Sequence, residues 1–225
     1  MMYAMLTTYL SFTLITILGN TGYQNEPPKP SRTVKDQVLS STDKPAIRLQ
    51  FDKSFKYIGS QSFILYGVAT AEQHFFVDAD ENKQINRLYW IQFEGYLPDN
   101  KHTYRYQSKK KASLGKFEFF ADAAARKSGP PSRPDSDSAK FLQFVKEKGY
   151  HMAEGDFLSQ RLVHLIDDKK RDELMIIYLE SLNPMQLTAA DLAPTGKAAS
   201  QWEGIADKLL QRAIKGMELV DEKPK

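Results

Sequence analysis

Two spacings of apolar residues divide this chain. From Ile47 to Phe120 the large apolar side chains alternate with polar ones or come in short runs. Around Phe141–Val145, and again towards the C-terminus, they recur at three- and four-residue steps. Alternation puts neighbours on opposite faces of a strand, whereas the longer step gathers side chains on one stripe of a helix. Strands are therefore predicted at 47–51, 63–69, 72–77, 84–94, 102–107 and 114–120, where β-branched and aromatic residues concentrate between turn residues. The links between them are too short for parallel crossovers, which predicts antiparallel meanders.

A helix is predicted to start at the cluster Asp135, Ser136, Asp137, whose oxygens and charge suit free N–H groups. Phe141, Leu142, Phe144 and Val145 give it an apolar face and Gly149 ends it. A hairpin of 161–167 and 173–179 follows, around a charged turn. The unbroken apolar run Leu174–Leu179 implies a strand covered on both faces, hence central in its sheet. A closing helix from about 198 to 220 carries one continuous stripe that includes Trp202, Ile205, Leu209, Ala213 and Met217. The expected fold class is α+β. It comprises a largely antiparallel sheet of about six to eight strands, curved or partly barrelled, with one mid-chain helix and a long C-terminal helix packed on the sheet.

The ends of the chain suggest its address. No charged side chain precedes Glu26, and residues 5–18 are mostly apolar, as in a secretory leader. Residues 1–22 are read as a signal peptide or N-terminal anchor, and 23–46, rich in proline and poor in large apolar groups, as a flexible tether. A single α+β domain is expected over 47–221, with a β-rich part (47–125), a loop (126–137) and an αββα part (138–221). Cysteine is absent, which excludes disulfides, a thiol nucleophile and thiolate metal ligation. Secretion or the bacterial periplasm is the expected location.

Charge adds little. The net charge of +3 is spread along the chain, and Lys109–Lys111 reads as a solvated hairpin loop. No nucleic-acid partner is expected, and the membrane is met only through an uncleaved leader. Asp78, Asp80 and Asn82 open like a calcium loop, but Lys83 and Tyr89 stand where glycine and glutamate are needed. No metal or cofactor is expected. His164 shares an apolar face with Leu162 and Ile166, the place of a core histidine.

One polar set is suggestive. If 78–83 is a loop, His74 faces Arg87 and Glu72 faces Tyr89, and all four share a sheet face. A carboxylate beside an imidazole tunes a base, and an arginine holds an anion. The other face carries Trp90 and Glu94 in the most aromatic stretch of the chain, a composition used by ligand pockets. Glu72, His74, Arg87, Tyr89, Trp90 and Glu94 are accordingly the candidate ligand-binding residues; no catalytic residue is assigned. No nucleophile elbow, zinc-binding helix or phosphate loop occurs. These features imply an exported, non-catalytic domain binding a small amphipathic molecule or an envelope protein. The alternative is an exported hydrolase or lyase using the Glu/His/Arg set, or Glu94 with a second carboxylate.

Overall fold

In the computed structural model, residues 29–131 and 133–220 are described. The strands are β1 (Thr33–Lys35), β2 (Val38–Ser41), β3 (Ile47–Phe51), β4 (Lys56–Leu65), β5 (Ala69–Ala79), β6 (Gln84–Tyr96), β7 (Lys111–Leu114), β8 (Phe117–Arg126), β9 (His151–Met152), β10 (Phe157–Leu165), β11 (Asp172–Ser181) and β12 (Met217–Leu219). The helices are α1 (Asp137–Glu147), the short α2 (Ala189–Leu192) and α3 (Trp202–Lys215). An eight-stranded sheet runs β4-β5-β6-β11-β10-β8-β7, with β9 alongside β6, and a four-stranded sheet runs β1-β2-β3-β12. The large sheet is open at β4 and β7 and closes no barrel. Among the described residues every strand pairing is antiparallel except that of β6 with β9. The fold is α+β, and the expected C-terminal helix lies on the sheet.

Alternation along the strands separates two cores. On one face, Phe76, Tyr89, Ile91 and Ile176 pack against Leu49 and Phe51 of the small sheet and against Leu209 and Ala213 of α3. On the other, Phe75, Leu88 and Trp90 pack against Phe141, Phe144 and Val145 of α1. The central strand β11 lies between β6 and β10, so Leu174–Leu179 is covered on both faces as its composition requires. Ser136 caps α1 by accepting from the Ala139 N–H at 3.1 Å, and Gly149, at φ +74°, follows its C-terminus.

Four expectations change. The segment read as tether enters the fold from Thr33, because β1 and β2 pair onto β3 and bury Leu39 completely. Residues 102–107 form no strand. Their tyrosines instead reach back to carboxyls of β6 and β11. The closing helix stops at Lys215, and Met217–Leu219 turn into an edge strand beside β3. The β5–β6 register also differs: Val77 pairs with Leu88, His74 with Ile91 and Glu72 with Phe93. Asp80 accounts for most of this shift, since its Oδ1 accepts from the N–H groups of Asn82 (2.9 Å) and Gln84 (2.8 Å) and draws the turn onto 80–83, and an irregularity between Asp78 and Ala79 supplies the remaining residue. The displacement is even, so each residue keeps its expected face. The leader at 1–22 lies outside the described residues. Among those that are described, no helix is long and apolar enough to cross a membrane.

Candidate ligand-binding site

The six candidate residues fall on opposite faces of the large sheet. Glu72 and His74 come together on the face that meets the small sheet. His74 is fully buried, with Nε2 2.8 Å from Glu72 Oε1 and Nδ1 3.2 Å from the Tyr57 hydroxyl. The tautomer satisfying both contacts donates from Nε2 and accepts at Nδ1. Glu72 also accepts from the N–H groups of Ser31 and Arg32, and from the Arg32 guanidinium at 2.9 Å. Burial opposes ionisation of Glu72, but these hydrogen bonds together hold its carboxyl far below the usual range. The cluster latches residues 31–32 to the sheet.

Arg87 and Tyr89 lie further along that face and do not join the cluster. Arg87 pairs with Asp78, its cross-strand neighbour, at 2.7 Å. Tyr89 is wholly buried and donates its hydroxyl to the Ala213 carbonyl at 2.7 Å, tying β6 to α3. Burial raises its phenol well above the usual value.

Trp90 and Glu94 face α1. The Trp90 ring stacks on Phe141 with centroids 5.2 Å apart, and its indole N–H donates to Gln92 Oε1 at 3.0 Å. A ladder of amides runs beneath the helix: Gln61 donates to Gln73, Gln73 to Gln92, and Gln92 to Glu94. Gln61 and Gln73 also donate to the carbonyls of Lys140 and Asp137, which fixes the first turns of α1 above the sheet. A buried polar chain satisfied in this way specifies one helix position.

Beside that fixed helix lies a cavity of about 830 Å³. Its floor is Trp90, Met175, Ile177, Leu179, Ser159 and Arg161; α1 contributes Asp137, Ser138, Phe141 and Leu142. Residues 126–131 and 152–155 form the mouth. This size, with an apolar lining and a few placed polar groups, is that of a small-molecule site. Arg161 lies 2.9 Å from Asp122 of β8, and burial pushes the Asp137 carboxyl upward.

Glu94 has a carboxyl neighbour. Glu173 of β11 is its direct cross-strand partner and is 1% exposed. Each accepts from a tyrosine of the 102–107 segment, Glu94 from Tyr104 at 2.7 Å and Glu173 from Tyr106 at 2.6 Å. Burial raises both, against those hydrogen bonds, and carries Glu173 to about 8. At neutral pH Glu173 is therefore a protonated acid beneath Tyr106.

Of the six residues, only Trp90 lines the cavity. Sequence reasoning missed Ser159, Arg161, Phe141, Met175 and Ile177 as lining residues. Alternation in 157–163 (Phe, Ser, Arg, Val on one face) was the available signal for the first two. Comparison with family models, curated proteins and solved structures gave no match.

Proposed function

We propose that this protein is an exported, non-catalytic binding domain whose ligand is a small amphipathic molecule held between α1 and the large sheet. One observation carries the reading: a cavity of about 830 Å³ with Trp90, Ile177 and Leu179 on one side and Ser159 and Arg161 on the other. The paired carboxyls Glu94 and Glu173 favour binding over hydrolysis, because tyrosine hydroxyls already occupy them and Glu173 is closed to solvent. The uncharged apolar run at 5–18 supports export.

The test uses N-phenyl-1-naphthylamine, a neutral dye that fluoresces in apolar surroundings. Saturable binding at one site is expected. Leu142→Trp, on the helical wall, should weaken it about tenfold by filling the space, a loss of about 1.4 kcal/mol. Absence of saturable binding, or binding indifferent to Leu142→Trp, overturns the reading.

A further inference from the structure

The two linings of the cavity are separated sideways, and strand order makes them so. Trp90, Ile177 and Leu179 come from the adjacent strands β6 and β11. Ser159, Arg161 and Arg126 come from β10 and β8, the next two strands of the sheet. An occupant would rest one end on hydrocarbon and present the other to a hydroxyl and two guanidinium groups.

The two arginines are not equivalent. Arg161 is answered by Asp122 at 2.9 Å, and Asp137 lies within electrostatic reach of it. Arg126 closes β8 on the cavity face, is exposed at its strand end, and forms no ion pair with any described residue. The Ser159 hydroxyl, on a buried residue of the neighbouring strand, has no hydrogen-bond partner among the described residues. Lys127 adds positive charge at the mouth, and Glu154 of the 152–155 segment lines the same mouth with a negative one. That carboxylate makes a doubly charged head costly, whereas a single charge is balanced by Arg126. A carboxylate also matches the planar fork of a guanidinium.

Resting on the cavity being a binding site, we propose that its ligand is a monocarboxylate amphiphile, with its apolar body on the β6–β11 side and its head held by Arg126 and Ser159.

The test displaces N-phenyl-1-naphthylamine from the full chain with decanoate, decanol or decylammonium, each below its micellar concentration. Decanoate should displace at about tenfold lower concentration than the other two, in keeping with one charge-assisted hydrogen-bonded contact. Arg126→Gln should cut that advantage to about threefold or less, read as the ratio of decanoate to decanol displacement in the same variant so that any change in dye affinity cancels. Equal displacement by decanoate and decanol overturns the carboxylate head while the cavity reading survives. So does an advantage that persists undiminished in Arg126→Gln. Preference for decylammonium would reverse the assigned sign and overturn the proposal. Failure of the dye to bind removes the cavity reading and this proposal with it.

Discussion

Glu72 and Glu173 are both buried carboxyls on the large sheet, yet their neighbours push them in opposite directions. Glu72 meets cationic and N–H donors, so the folded state favours its ionised form and contributes stability above the ordinary carboxylate range. That contribution is lost as pH falls through the depressed folded value. Glu72→Gln should therefore cost about 3 kcal/mol at pH 7, as expected when one partner of a buried pair is removed. The cost should shrink in strong acid, which urea unfolding across pH would show. Equal stability of the variant and the native sequence at pH 7 would remove the latch. Glu173 behaves oppositely. Its folded value of about 8 lies above 4.5, so the folded protein keeps a proton that the unfolded chain releases between those limits. Stability from this group is complete below about pH 4.5 and is lost as pH rises through 8. Glu173→Gln keeps an acceptor for Tyr106 and cannot ionise. It should exceed the native sequence at pH 9 by an amount on the order of a few kcal/mol, with the difference fading towards pH 5. A difference independent of pH would show that Glu173 is not the titrating group. The sequence displayed both carboxyls, but not their fates: Arg32 lies far from Glu72 in the chain, and Tyr106 far from Glu173.

At the scale of elements, the pattern of apolar residues was sufficient for most strands and both long helices, because burial on one face leaves a period in the sequence. It was insufficient where pairing supplies what local composition lacks. Thr33–Lys35 and Val38–Ser41 hold few large apolar groups and become strands because β3 offers an edge. Residues 102–107 have strand-like composition but leave the ladder for two tyrosine–glutamate bonds. The stripe of α3 was legible as a core face, and Leu209 is fully buried against the sheet. Leu209→Ala should cost about 2–5 kcal/mol, from lost burial and a residual cavity. A change within about 0.5 kcal/mol, usual for surface positions, would place that stripe outside the core. Just beyond the helix, a Cβ at Gly216 would overlap the Tyr89 hydroxyl. Gly216→Ala should therefore lower the unfolding midpoint, and Tyr89→Phe in the same chain should recover part of the loss. The cavity was illegible for a related reason. Its lining comes from five strands, a helix and two loops, and only the order β6-β11-β10-β8, with β9 beside β6, makes those residues neighbours.

For the whole molecule, the three layers depend on one another through the large sheet, which is covered by α1 on one face and by the small sheet with α3 on the other. The small sheet joins segments from both ends of the described chain: β1 and β2 precede β3, and β12 returns from beyond α3. The apolar pattern alone places the domain boundary at Ile47, which leaves residues 29–41 outside the fold. In the structure they supply Leu39 to the main core and the Arg32 guanidinium to Glu72. Two shortened chains separate these views, one beginning at Lys29 and one at Thr42. The shorter would uncover Leu49, leave Glu72 buried without its cation, and free one edge of β3. Loss of a buried ion-pair partner alone costs about 3–5 kcal/mol, and lost burial of Leu39 adds about 1.5–3 kcal/mol. These sums approach the whole stability of many domains. The chain beginning at Thr42 should therefore unfold at a far lower urea concentration than the one beginning at Lys29, or fail to fold cooperatively. If the two unfold at the same concentration with the same slope, residues 29–41 are a tether after all.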